Sequence, residues 1–277
     1  MLVVKNFKAM IESENPNEES NMEVKQVRYS KPPLVETVFE LRFPPILRID
    51  TETPDKFQDL IRHRFPEYEV QNEIQQQVVG NVNQNQFLAE TKLSSNIVHV
   101  FSSDDKKNVV KLTRNNIFYS TTNYLGWDRF KEESIFVMKY FADIYQTSQF
   151  SRIGLRYINV IDRTKLGLDI STPWKALVKN YYLGLLANPT ESEKIESYEL
   201  VTGLKFGPKT AINLRVTLLV NLNSQETCLG LDNDCFLPEG DEDFQTTIES
   251  LHTHCEYYFF NAITEELRSA MKPLEDE

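Results

Sequence analysis

The chain has 277 residues, of which 40% are hydrophobic and 26% are charged, as in a folded protein with room for one large domain or two small ones. Thirty basic against 41 acidic side chains give a net charge of −11, which argues against a nucleic-acid binder or a binder of anionic membranes. The three cysteines show no disulfide-type spacing, and no apolar run approaches the ~20 residues of a membrane span. We therefore expect a cytoplasmic protein without a membrane partner.

Residues 1–30 differ in composition from the rest of the chain. The segment from Glu12 to Glu23 is polar and acidic and has no hydrophobic periodicity. Such a segment cannot bury enough apolar surface to offset the entropy lost on ordering. We therefore expect a flexible N-terminal arm over residues 1–30, with the folded part after it.

The most informative stretch lies between two Pro-Pro pairs, at 32–33 and 44–45. One set of alternate positions carries Val35, Thr37, Phe39, Leu41 and Phe43, and the other carries Glu36, Val38, Glu40 and Arg42. Alternation with period two is typical of a strand, and proline marks strand ends because it cannot donate a ladder hydrogen bond. The stretch predicts a strand with its first set of residues in a core.

The remaining elements follow in chain order. A helix is predicted from Pro54 to Phe65 and another from Asp128 to Tyr145, each with an apolar stripe. Turns are predicted at 94–96 and at 104–108. The predicted strands are Glu73–Gly80, Gln86–Thr91, Ile97–Ser102, Val109–Ser120, Arg152–Ile161, Ser197–Phe206, Ala211–Asn221 and Thr227–Phe236. A short helix is predicted at Trp174–Val178, and a long C-terminal helix at Asp241–Met271.

This order of elements predicts an α+β fold. Strands joined by short turns and interrupted by helices favour an antiparallel sheet with helices packed on one face and a long C-terminal helix. Strands recur in the last third of the chain. This recurrence is compatible with two related sheet halves, 31–165 and 166–277, that form one continuous unit. Glycine is scarce, with nine residues, and neither G-x-G-x-x-G nor G-x-x-x-x-G-K occurs, which argues against nucleotide binding by those loops.

Three segments together resemble a sporadically distributed bacterial family of uncharacterised proteins. Residues 32–43 are similar to its N-terminal Pro-Pro-x-Val-Glu-Ala strand ending in Glu-x-Arg-Phe, with Thr37 in the place of Ala. Residues 154–159 are similar to its central Leu-Arg-Tyr-Ile-Asn strand. The third segment is Leu231–Asp234 with a closing helix that carries His252, Phe259, Phe260, Ile263 and Thr264. The resemblance spans about residues 31–270 and implies no activity for any one residue.

Charged and polar residues on the two motif strands form the first candidate site, for a ligand or a partner. They are Glu36, Glu40, Arg42, Arg156 and Asn159. Charges inside strongly apolar strands could face one another across the sheet, and a buried arginine–carboxylate pair often marks a site or an obligate interface. The alternative is a solvated cross-strand ladder with a structural role.

Asp232 and Asp234 form the second candidate site. On a strand they share a face about 6–7 Å apart, and with Glu36 or Glu40 they could hold Mg²⁺ for phosphoryl chemistry. The alternative is a turn or sheet edge, where aspartates accept backbone N–H groups. A divalent metal is thus left open, and no other cofactor is predicted. His252 and His254 lie roughly 200° apart around a helix, so they cannot share a zinc ion.

Three functions remain from these patterns. The first is a non-catalytic binding or interaction module that self-associates as a dimer or binds another protein; the resemblance adds the context of an accessory or defence-type system. The second is a metal-dependent phosphoryl-transfer or nuclease-like enzyme that uses Asp232 and Asp234. The third is a small-ligand binder in which the C-terminal helix closes over a curved sheet, in a helix-grip manner. No residue is assigned a catalytic role, so enzymatic activity stays open.

Overall fold

The computed structural model describes the backbone of residues 27–274 apart from 84–85, 207–208 and 239–242. Side chains are described over the same ranges except at 74–95, 189 and 206. Most of the predicted N-terminal arm, residues 1–26, lies outside the described residues. The described part has the predicted α+β architecture, a nine-stranded antiparallel sheet with helices.

The elements are numbered in chain order. The strands are β1 Leu34–Arg42, β2 Glu67–Asn83, β3 Gln86–Ser102, β4 Asn108–Leu112, β5 Asn116–Thr121, β6 Arg152–Ile161, β7 Glu199–Phe206, β8 Thr210–Val220 and β9 Thr227–Leu237. The helices are α1 Arg48–Thr51, α2 Asp55–Ile61, α3 Trp127–Tyr145, α4 Arg163–Leu166, α5 Trp174–Leu177, α6 Asn180–Leu183, α7 Pro189–Ser192, α8 Phe244–Ala262 and α9 Glu265–Ala270.

The contacts divide the chain into two compact units. Among the described residues the β1 unit comprises 34–159 apart from 84–85, and 236–248 apart from 239–242, and its strands follow the order β2-β3-β4-β5-β1-β6. Among the described residues the β8 unit comprises 27–33, 160–235 apart from 207–208, and 249–274, and its strands follow the order β9-β8-β7. The sequence halves 31–165 and 166–277 stay a prediction.

Strand β1 supplies the centre of the β1 unit. Its alternation is confirmed, because Thr37, Phe39, Leu41 and Phe43 are buried. Val35 was predicted on the same core face, and this is wrong, since Val35 is 40% exposed. The pairing of β1 with β6 shifts register between Leu34 and Glu36, and such a bulge takes the intervening residue out of the alternation.

A row of directly opposed, buried residues crosses five strands of this unit. It consists of Phe101, Val110, Tyr119, Phe39 and Leu155. Helix α2 packs Phe57 edge-on against Phe101 at 5.5 Å between ring centroids, and helix α3 packs Phe130 on Tyr119 at 5.3 Å. Both helices therefore cover the same face of the sheet, where the burial of apolar area stabilises the unit.

Two details of the predicted meander are wrong. The predicted turn at 94–96 lies inside β3, where Asn96 pairs with Glu73 of β2. The predicted strand Val109–Ser120 is instead two strands, β4 and β5, joined by a tight turn. The Thr113 hydroxyl accepts the backbone N–H of Asn116 at 3.1 Å, and such a local hydrogen bond competes with strand extension.

The predicted C-terminal helix is also two helices. Helix α8 ends at Ala262, and α9 begins at Glu265. Between them Ile263 forms an isolated β-bridge with Val178. The Thr264 hydroxyl accepts the backbone N–H of Leu267 at 3.3 Å and so caps the N-terminus of α9. A capping residue within the predicted apolar stripe therefore divides the predicted helix into α8 and α9.

Glu256, on the part of α8 within the β8 unit, makes this fold sensitive to pH. Burial raises the pKa of its carboxyl from 4.5 to about 7. A carboxyl with a raised folded pKa stabilises the fold fully below its unfolded pKa, and this stabilisation is lost as the pH rises through the folded value. We expect Glu256→Gln to raise the free energy of unfolding by about 1–2 kcal/mol at about pH 8 and to change it little near pH 4.5. Urea unfolding at the two pH values measures this, and an equal effect at both would contradict it.

Candidate functional site

The first candidate site contains one carboxylate held by two arginines. Arg42 Nε donates to Glu40 Oε1 at 2.8 Å, and Arg152 Nε donates to Glu40 Oε2 at 3.0 Å. The side chain of Glu40 is 16% exposed and that of Arg152 is 12% exposed, whereas Arg42 is 53% exposed. The two arginines are direct register partners on β1 and β6. Glu40 therefore reduces the repulsion between these two like charges.

Gly154 makes room for this cluster. It lies opposite Glu40 in the β1–β6 register and two residues after Arg152. A Cβ atom at this position would lie 3.1 Å from the Arg152 Nε and Nη2 atoms. Because glycine lacks that atom, the guanidinium can extend across to Glu40, where it also lies over the Phe236 ring at 4.0 Å.

Arg152 is the residue of this cluster that sequence reasoning missed. The prediction grouped Glu36, Glu40, Arg42 and Arg156 as charges that could face one another across the sheet. In the structure Arg156 lies opposite Val38. The choice between the two arginines depends on the register of β1 against β6, which the pattern of a single strand does not give.

The other predicted members occupy different places in the same unit. Glu36 lies opposite Ile158, and Asn159, which is buried, lies opposite Leu34. Arg156 is diagonal to both Glu36 and Glu40 by register. Their role in binding a ligand or a partner stays a prediction.

Removal of the charge on Glu40 should destabilise the β1 unit. Glu40→Gln removes the carboxylate that accepts from both Arg42 and Arg152, and we expect a loss of about 1–3 kcal/mol in the free energy of unfolding. The matched control is Glu36→Gln, on the same strand and face, for which we expect a change within about 0.5 kcal/mol. Urea unfolding measures both variants. Equal effects would show that the cluster contributes no more than an ordinary surface ion pair.

Asp232 and Asp234 lie in the middle of β9, so their predicted alternative at a turn is wrong. Between them Asn233 is buried, and its Nδ2 donates to the Cys255 carbonyl of α8 at 3.4 Å. The two aspartates therefore share the face of β9 that points away from α8. Among the described residues no group of three or more His, Cys, Asp or Glu could hold a metal ion. The metal site stays a prediction, and within it Glu40 already has both carboxylate oxygens engaged by arginines.

The helix-grip arrangement placed a ligand between the C-terminal helix and the sheet. Within the β8 unit α8 contacts β9 directly, because the Cys255 thiol lies 3.7 Å from the Asn233 carbonyl oxygen and donates to it. A cavity of about 250 Å³ is instead present in the β1 unit, beside the first turns of α3. This cavity beside α3 is not the cavity between the C-terminal helix and the sheet that the helix-grip hypothesis placed there.

The described helices include none that is long and apolar enough to cross a membrane. No protein-family model matches the chain. No curated protein matches it significantly. The resemblance to the bacterial family therefore stays a prediction carried by the three motif segments.

Proposed function

We propose that the protein is a non-catalytic interaction module that self-associates through the hairpin formed by β2 and β3. The observation that carries this proposal is the length of that hairpin. β2 and β3 pair along all 17 residues of each strand. β4, however, pairs with β3 only over His99–Ser102. Beyond those four residues the hairpin is a two-stranded ribbon, roughly 40 Å long at the rise of a strand.

A two-stranded ribbon of this length is poorly stabilised alone. Isolated hairpins are marginally stable in water and need a third strand or a packing surface. β2 is the edge strand, and β3 is its one strand neighbour in the described part of the chain. One side of the β2 backbone therefore presents donors and acceptors that a further strand can satisfy.

The C-terminal part of β2 lacks the sequence features that usually protect an edge. Natural edge strands usually carry lysine, other charged residues or proline, which hinder pairing with a further strand. Residues 74–83 contain no charged residue and no proline. By register, Val82 pairs with Phe87 and Val78 pairs with Thr91. These properties favour association.

A second copy of the chain is the partner that fits this edge. An antiparallel strand can pair with its own copy across a two-fold axis, and such an interface is self-complementary. The uncharged stretch 74–83 at the C-terminal end of β2 brings no like charges together in that arrangement, although the whole chain carries a net charge of −11. The family resemblance adds to this proposal the context of a bacterial accessory or defence-type system.

Sedimentation equilibrium of the full chain tests the proposal. We expect a species of twice the 32.3 kDa chain mass that dissociates on dilution. The strand pairing is backbone-mediated, so raised salt should change the dissociation constant little. A single species of 32.3 kDa at every concentration would contradict self-association.

A further inference from the structure

The cavity in the β1 unit lies where the first turns of α3 meet β4 and β5. Its volume is about 250 Å³, below the roughly 300–1,000 Å³ of pockets for drug-sized ligands, so it suits a small molecule. The side chains around it are both charged and apolar. It is lined by Arg64, Phe65, Asn108, Tyr119, Thr121, Asn123, Leu125, Arg129, Phe130 and Glu133.

A buried carboxylate anchors the two arginines of this cavity. The Glu133 side chain is 9% exposed; it accepts from Arg64 Nη1 at 2.9 Å and pairs with Arg129 Nη2 at 2.5 Å. The Arg64 guanidinium also lies over the Phe136 ring at 4.0 Å. These contacts fix the two guanidinium groups before any ligand arrives, and pre-organisation reduces the entropy lost on binding.

The outer edges of the same two guanidinium groups converge on a second carboxylate. Glu132 Oε1 lies 3.6 Å from Arg64 Nη2, and Glu132 Oε2 lies 3.3 Å from Arg129 Nη1. These distances are longer than those of good charge-assisted hydrogen bonds, about 2.7–2.9 Å. The Glu132 side chain is 56% exposed. The protein thus holds its own carboxylate loosely at a point where two arginines meet.

The other side chains that line the cavity suit a ligand with a largely apolar part. Phe65, Leu125 and Phe130 supply apolar surface. The Tyr119 hydroxyl donates to Asn108 Oδ1 at 2.9 Å, and burial raises the pKa of Tyr119, so this phenol stays neutral. The N-terminal end of α3 also lies here, and the helix macrodipole favours an anion near that end.

We propose that this cavity binds a small carboxylic acid with a compact apolar body. The ligand carboxylate replaces that of Glu132 between Arg64 and Arg129, and the body packs against Phe65 and Phe130. Glu132 then acts as an internal competitor that swings into solvent when the ligand binds. This site is independent of the proposed pairing of β2.

Calorimetric titration of the full chain with benzoate tests the proposal. We expect benzoate to bind, and benzamide, its neutral analogue, to bind at least tenfold more weakly because it cannot accept from both guanidinium groups. Inorganic phosphate, which lacks the apolar body, should also bind at least tenfold more weakly. Absence of benzoate binding up to about 10 mM, or binding of benzamide or of phosphate as tight as that of benzoate, would overturn the proposal.

Two variants locate the binding. Glu132→Gln removes the internal competitor from an exposed position, and we expect it to tighten benzoate binding about three- to tenfold without affecting the fold. Arg129→Gln removes one of the two guanidinium groups and should weaken binding at least tenfold. Unchanged affinity in the Glu132→Gln variant would show that benzoate binds elsewhere and would overturn the assignment.

Discussion

Phe39→Ala should destabilise the β1 unit by about 3–5 kcal/mol, the range for truncation of a buried phenylalanine. Phe39 is fully buried at the centre of the five-strand row, with Tyr119 on one side and Leu155 on the other. The neighbouring strands are fixed by backbone pairing, so they cannot collapse into the space left by the ring. The loss therefore includes a cavity term in addition to the lost transfer free energy.

The two tryptophans allow this effect to be assigned to its unit. Trp127 belongs to the β1 unit and Trp174 to the β8 unit. In a Trp174→Phe background the fluorescence of Trp127 follows urea unfolding of the β1 unit alone. The control is Val35→Ala, at the exposed start of the same strand, with an expected change within about 0.5 kcal/mol. A loss below about 1 kcal/mol for Phe39→Ala would contradict the central position of β1.

Shortening of the β2–β3 hairpin should convert the dimer into a folded monomer. Glu73 and Asn96 are register partners, so replacement of residues 74–95 by Asn-Gly closes the hairpin with a two-residue turn of the type that such hairpins favour. The pairing of β3 with β4 over His99–Ser102 is retained. Because this pairing joins the hairpin to the rest of the unit, we expect Trp127 fluorescence and the unfolding midpoint to change little.

The control for the shortened variant lies on the other edge strand. Val201 on β7 is 52% exposed, and Val201→Lys places a charge on that edge. We expect this variant to keep the mass of the dimer, since the proposed contact is at β2. If Val201→Lys loses the dimer and the shortened variant retains it, the interface lies at β7 and not at β2.

The elements with strong local patterns could be predicted from the sequence. β6 has the predicted bounds, and β1 lies between its prolines, because period-two alternation and proline act locally. The turn at Thr113 and the break at Thr264 were missed, because each depends on one hydroxyl accepting a backbone N–H group. The turn expected at 94–96 is overridden by the pairing of β3 with β2, which a single strand does not reveal.

The sites were harder to predict than the elements. The pairing of Glu40 with Arg152 follows from register, and neither residue alone indicates it. One feature of the sequence could have indicated the cavity beside α3. Glu133 lies three residues after Phe130 and four before Val137, on the apolar stripe of its helix. A carboxylate at such a position requires counter-charges, and a search for them would have pointed to Arg129 one turn earlier.

Hydrogen exchange along β2 tests the central claim most directly. In an antiparallel edge strand alternate backbone amides face the inner neighbour, and the others face outward. If β2 pairs with a second copy, both sets of amides in residues 74–83 should exchange slowly at high protein concentration, and the outward set should lose its protection on dilution. Rapid exchange of the outward set at every concentration would contradict self-association through this edge.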